Sequence, residues 1–426
     1  MTAKKIVLAL PLAAALMAVT ATAPAAAPHG PWHSAWGTSP QAPATTPWYP
    51  NWSEAGFAGE SVRQVVRIGA EGSELRVRLT NAYGRTPLRL SGATVARTAG
   101  GAAVLPDSVR TLRFHGAQSV TVPAGGQLSS DPVALPVKAF EQLTVTFYFE
   151  GPTGPATFHN VAMSLSYKAA GDHRRDPAAD AFAAAQPSFS WYYLAGVDVR
   201  NTRPGGPGRA VVTFGDSLTD GFGATPGADR RYPDELAKRL AASGRSRPVL
   251  NAGIGGNRVL NDSACFGESA LDRFRRDALG RPDVGTVILL EGTNDIVLPD
   301  SPTPDHCTAP GPRVTADEII AGYRQLIREA HARGVRVIGA TIPPFHGSAY
   351  WTERGEDVRT AVNAWIRTSG AYDGVVDFDR VLAAPADPGH PGEIKIKDEY
   401  AFRADRLHMN DAGYKAMADA VDLDSL

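Results

Sequence analysis

Across residues 31–199, short runs alternate polar and apolar positions. Glu74-Leu-Arg-Val-Arg-Leu-Thr80 has that pattern throughout, and Gln142-Leu-Thr-Val-Thr-Phe-Tyr-Phe149 begins with it. A period of two predicts strands with one face in a core and one in water. Turn clusters such as Asn81-Ala-Tyr-Gly84 and Pro123-Ala-Gly-Gly126 separate the runs, as expected of a sandwich or jelly-roll module. Beyond residue 209 the texture changes. Apolar runs at Val211–Phe214, Val249–Leu250, Val287–Leu290, Val335–Ile342 and Val375–Phe378 alternate with helical patterns. Thr315 and Glu318 have capping-box spacing. Ile319, Tyr323, Leu326 or Ile327, and Ala330 then share a helix face that stops at Gly334. Pro233 suits the first turn of an earlier helix ending near Gly244. Repeated βα units predict an α/β domain, a parallel sheet covered by helices on both faces.

A chain of 426 residues fits two domains better than one. The expected organisation is a leader over 1–27, a β-rich module over 28–200, a linker over 201–209 and an α/β domain over 210–426. The linker, Asn201-Thr-Arg-Pro-Gly-Gly-Pro-Gly-Arg209, is rich in structure breakers. In the leader, Lys4 and Lys5 precede the apolar stretch Ile6–Val19, and Ala21-Thr-Ala23 or Ala25-Ala-Ala27 offers a cleavage site. Pro11 and the shortness of the run argue against a membrane span, which needs about 20 residues. The expectation is a secreted, extracellular protein without stable membrane insertion.

Formal net charge is −1, so no global basic field attracts nucleic acid. The two cysteines, Cys265 and Cys307, are expected to pair as a disulfide in an exported protein. His306 beside Cys307 makes a poor metal site, because adjacent residues rarely converge on one ion.

Four short motifs carry candidate chemistry. Ala210-Val-Val-Thr-Phe-Gly-Asp-Ser217 delivers a serine at the C-terminal end of an apolar run, where α/β sheets bind ligands. A serine needs a base before it attacks. His408 can take its proton, and Asp405, three residues earlier, can reach the imidazole through a turn. Asn251-Ala-Gly-Ile-Gly-Gly-Asn257 and Gly292-Thr-Asn-Asp295 follow two other apolar runs. They offer the Gly256 N–H and the Asn294 amide as oxyanion donors beside the Ser217 N–H. Taken singly, each motif reads as ordinary turn, cap or ion-pair chemistry.

Together, in this order, the motifs resemble the GDSL/SGNH serine hydrolase family over about residues 209–420. Asn251–Arg258 and Gly339-Ala-Thr-Ile-Pro-Pro-Phe-His-Gly347 resemble its arylesterase and acylhydrolase branch, some of it associated with xylan breakdown. The resemblance implies a three-layer fold and carboxylic-ester hydrolysis by Ser217, His408 and Asp405. It further implies an oxyanion hole of Ser217, Gly256 and Asn294, with no metal or organic cofactor. Met409 stands where many members have proline after the histidine. The α/β-hydrolase pattern Gly-x-Ser-x-Gly fails at Thr219. Substrates implied are short-acyl, aryl or polysaccharide acetyl esters. A lipase or phospholipase, an acyltransferase and a non-catalytic carbohydrate-binding protein are the alternatives. Trp32, Trp36, Trp48, Tyr49 and Trp52 offer either a sugar-stacking face or packing for the β-module and its interface, and packing is the expectation. Tyr350, Trp351 and Trp365 offer an acyl pocket or plain packing.

Overall fold

The computed structural model describes residues 30–46, 48–201, 207–309, 311–385, 389 and 392–426. The leader predicted over 1–27 and linker residues 202–206 lie outside them.

The first half folds into two large antiparallel sheets and two two-stranded ones, Phe158–His159 with Trp191–Tyr192 and Leu88–Leu90 with Val120–Val122. One large sheet has the order His33–Gly37, Leu194–Arg200, Gly72–Thr80, Val133–Val137, and Gln127–Ser129 also pairs with Gly72–Thr80. The other runs Ser166–Ala170, Glu60–Arg67, Gln142–Phe149, Gly92–Gly100, Ala103–Val104. Leu75, Val77, Leu79 and Val197 from the first share one hydrophobic core with Val62, Val95, Val145 and Phe147 from the second. The alternation in Gly72–Thr80 holds, since Arg76 and Arg78 are partly exposed while Leu75, Val77 and Leu79 are buried. It does not hold in Gln142–Phe149, where Thr144 and Thr146 are buried as well. That strand is central, paired on both edges, and the Thr144 hydroxyl is satisfied by Thr98 at 2.8 Å.

The second half carries a five-stranded parallel sheet in the order Val249–Gly253, Ala210–Gly215, Val284–Leu290, Arg336–Ala340, Gly374–Val376. Alternate residues of one strand enter different cores. Ala210, Val212 and Phe214 pack with Ile319, Tyr323 and Leu326 of helix Ala316–His331 and with Val362 of helix Glu353–Thr368. Val211 packs instead with Leu236 of helix Tyr232–Ala242 and Met417 of helix Asp411–Ala420. Helices therefore cover both faces, which is why these strands are predominantly apolar. The capping box forms as spaced: Thr315 Oγ1 accepts from the Glu318 N–H, and the Glu318 carboxylate accepts from the Thr315 N–H at 2.8 Å. Such a cap is worth about 1 kcal/mol.

Strand order reverses around Ala210–Gly215, which has the second strand on one side and the third on the other. At such a switch point the connections leave in opposite directions and open a crevice at the carboxyl ends of the strands. Ser217 stands at its lip.

Candidate active site

Ser217 opens the short helix Ser217–Asp220, capped by Asp216, whose carboxylate accepts from the Leu218 N–H at 2.9 Å. Complete burial raises the Asp216 carboxyl above its ordinary range. The partner groups come from the other end of the chain. His408 Nε2 is 2.7 Å from Ser217 Oγ, and His408 Nδ1 is 2.7 Å from Asp405 Oδ2. The other Asp405 oxygen accepts from the Leu407 and His408 N–H groups at 2.9 and 3.0 Å. Burial alone would raise the Asp405 carboxyl. The hydrogen bonds and the imidazole outweigh it and hold Asp405 below the usual carboxylate range. An ionised Asp405 fixes the proton on Nδ1, leaving Nε2 to accept from the serine hydroxyl. The three groups form one hydrogen-bonded line able to move a proton off Oγ.

The loop after strand Val249–Gly253 is tied to that line. Ile254 N–H donates to the Gly215 carbonyl at 3.0 Å, and Gly255 N–H to Asp220 at 3.1 Å. Gly256 adopts φ +77°, and a Cβ there would fall 2.6 Å from the Phe266 ring Cδ2. Only glycine suits both demands. Among the described residues the Gly256 and Ser217 N–H groups have no acceptor, which leaves them free for a ligand oxygen. Asn294 follows strand Val284–Leu290 and donates one amide hydrogen to the Asn257 carbonyl at 2.9 Å. Its second amide hydrogen remains available.

Several groups that hold this arrangement carry no role in the motif reading. Arg273 is fully buried and donates to Asn257 Oδ1 at 2.7 Å and to the Ala252 and Gly215 carbonyls at 2.8 Å, also meeting Glu291 at 3.2 Å. It clamps the ends of the first two parallel strands. Asp295 accepts from Val259 and Leu260 N–H at 2.7 and 3.1 Å, and burial pushes its carboxyl up to about 6. Asp295 was in sight within Gly292-Thr-Asn-Asp295. Arg273 had no such signal, being one of three arginines within Ala270–Leu279.

The N-terminal aromatics divide. Trp36 packs edge-on against Trp191, Trp52 stacks on Tyr192, and Trp32 lies under Arg76 and Arg200. Trp48 reaches the other half instead, stacked on Phe266 at 4.9 Å and tilted against Phe222 at 5.6 Å. Phe222 in turn lies 4.7 Å from the His408 ring, with Tyr49 at 6.2 Å and Phe402 at 6.1 Å from it. Tyr350, Trp351 and Trp365 are partly buried and pack against the core that the sheet shares with helices Ala316–His331 and Glu353–Thr368. Cys265 and Cys307 form a disulfide, and His306 Nε2 lies 3.3 Å from Cys265 Sγ. Both sulfurs are consumed by the bond.

The family model described as GDSL-like lipase/acylhydrolase matches residues 213–416. No curated protein matches the chain. Among solved structures the chain is similar to an acetyl xylan esterase, AlAXEase, at 21% identity, covering 50% of this chain and 96% of that one, with a TM-score of 0.36. It is similar to the aryl esterase of M. smegmatis at 18% identity, covering 50% and 95%, with a TM-score of 0.37. A lipase/acylhydrolase from Enterococcus faecalis gives 21% identity, 50% and 92% coverage, and a TM-score of 0.36.

Proposed function

We propose that this ester-hydrolysing enzyme, whose residues 213–416 form a GDSL-like lipase/acylhydrolase domain, cleaves carboxylic esters by a Ser217–His408–Asp405 triad. The observation that carries the reading is the pair of 2.7 Å contacts joining Ser217 Oγ, His408 and Asp405. His408 Nε2 takes the hydroxyl proton as Ser217 Oγ attacks the acyl carbon, and Asp405 stabilises the imidazolium so formed. The carbonyl oxygen gains charge and is met by the Ser217 and Gly256 N–H groups and the Asn294 amide. One such donor is worth about 2.7–4 kcal/mol in the transition state. His408 then returns its proton to the leaving alcohol, which departs from the acyl-enzyme. Water repeats the sequence and frees the acid and Ser217.

The leaving alcohol must come within reach of His408 Nε2, and the half-buried Phe222 ring lies against that imidazole. An aromatic wall suits a flat aryl leaving group or the C–H face of a sugar, which supports aryl esters or acetylated sugars as substrates. The leader composition supports export, as does the disulfide, which persists in an oxidising compartment.

Ser217→Ala tests the core of this. It should retain the wild-type circular dichroism and lose hydrolysis of phenyl acetate. A folded variant with wild-type turnover removes Ser217 from the reaction. A panel of acetyl to palmitoyl aryl esters, acetylated xylan and phospholipid then sorts the substrates. Preference for palmitoyl esters would move the enzyme to the lipases. Acyl transfer to an added alcohol faster than hydrolysis would make it a transferase.

A further inference from the structure

The oxyanion loop is held from the opposite half of the protein. His159 belongs to the short strand Phe158–His159 of the β-rich half and is buried, as is Asp220 at the end of the Ser217 helix. His159 Nε2 lies 3.1 Å from Asp220 Oδ1, and His159 Nδ1 lies 2.9 Å from the Ser39 carbonyl. A carbonyl can only accept, so Nδ1 carries a hydrogen. Asp220 Oδ2 accepts from the Gly255 N–H at 3.1 Å, so one side chain bridges His159 Nε2 and the loop. The ring is stacked on Trp191 at 5.5 Å, which fixes its plane. From the same half, Trp48 covers the loop directly, for a Cβ at Gly255 would meet its ring at 2.8 Å.

We infer that His159 is a positioning residue: through Asp220 it sets the Gly255–Gly256 peptide so that the Gly256 N–H faces the reacting oxygen. The β-rich half is then a working part of the active site. Asp220 spans the gap between the imidazole and the loop, and Gly255 precedes the donor by one residue. A loop free to shift would weaken the contact that strengthens most in the transition state, and hence slow turnover with little change in substrate binding.

This inference rests on the oxyanion role proposed for Gly256. The test uses the full chain, phenyl acetate kinetics and the affinity of phenylboronic acid, whose tetrahedral adduct places an oxygen in the same hole. His159→Phe should lower kcat by about 10- to 100-fold, with KM within about twofold, and weaken boronate binding in parallel. Asp220→Ala should fall similarly. Asp220→Asn should recover most of that loss, because its oxygen still accepts from Gly255 and its amide can donate to a neutral His159 Nε2. A merely structural role would move thermal stability without this kcat-only pattern or rescue. Wild-type kcat in folded His159→Phe overturns the inference, as does Asp220→Asn being as slow as Asp220→Ala. If His159→Phe does not fold, the two Asp220 variants decide. Turnover by Ser217→Ala would sink the underlying mechanism instead. A dead Ser217→Ala beside an unaffected His159→Phe sinks only this inference.

Discussion

Adding a single methyl group at Gly256 perturbs stability and chemistry together, and the structure sets the size of both. Gly256 lies at φ +77°, where an L-residue costs about 1–2 kcal/mol. The new Cβ would stand 2.6 Å from Phe266 Cδ2, well inside van der Waals contact. Phe266 cannot retreat freely, because it is buried and stacked on Trp48 at 4.9 Å with planes 10° apart. Overpacking of this kind costs about 1–3 kcal/mol, so Gly256→Ala should destabilise the protein by about 2–5 kcal/mol in total. Urea unfolding measures it as a lower midpoint at unchanged slope. The steric share is separable. In a Phe266→Ala background the same substitution should cost only the backbone strain, about 1–2 kcal/mol. Turnover should fall too, towards the roughly 10²–10³-fold loss typical of a missing oxyanion donor, because the N–H moves with the strained peptide. Wild-type stability in Gly256→Ala would refute the close approach to Phe266. An equal cost in both backgrounds would refute the division between strain and clash.

Asn294→Ala should lower kcat more than it raises KM, since the free amide hydrogen meets charge that develops only in the transition state; a pure KM effect would assign it to substrate binding. Reducing the Cys265–Cys307 bond, which spans 42 residues, should cost about 2–4 kcal/mol, read by urea unfolding with and without reductant. Two alkylatable thiols in non-reduced protein would contradict the disulfide. The raised Asp295 carboxyl binds protons better folded than unfolded, so its contribution to stability declines as pH rises from about 3.9 to about 6. Asp295→Asn should make that limb shallower, and an unchanged limb would reassign it to other groups. Asp405 has the opposite sign. Its lowered value gives stability that is fully present above about 3.9 and lost as pH falls through the folded value, a loss Asp405→Asn should remove from acid-unfolding curves.

What could be read from the chain was whatever leaves a local mark. The five apolar runs correspond to five parallel strands, and Thr315 with Glu318 announces a helix start that forms as spaced. Asp405 and His408 are near neighbours, so their spacing alone suggests contact. Ser217 and His408 were associated by motif order, and the fold brings them within 2.7 Å. The alternation in Gln142–Phe149 misled at Thr144 and Thr146, because a central strand with matched hydroxyls can bury its polar face. His159 left no mark at all. It sits in Phe158-His-Asn160 without a motif, and its meaning lies in Asp220, 61 residues later. Trp48 was one aromatic among several, distinguished only by which half of the protein it touches. Contacts of this kind depend on how two separately patterned regions meet, and sequence periodicity is silent about that.

The sequence separation of 191 between Ser217 and His408 also fixes when the site can exist. Synthesis runs from the N-terminus, so Ser217 and all five parallel strands, the last of them Gly374–Val376, emerge before His408 does. The strand His33–Gly37 pairs with Leu194–Arg200, so the β-rich half can close while the rest is still being made. On the proposed mechanism the nascent chain therefore carries Ser217, Gly256 and Asn294 without His408, and should stay inactive until the last tenth of the chain is docked. A protease that clips the segment before helix Asp411–Ala420 would return it to that state, leaving most of the molecule folded and Ser217 without its partner.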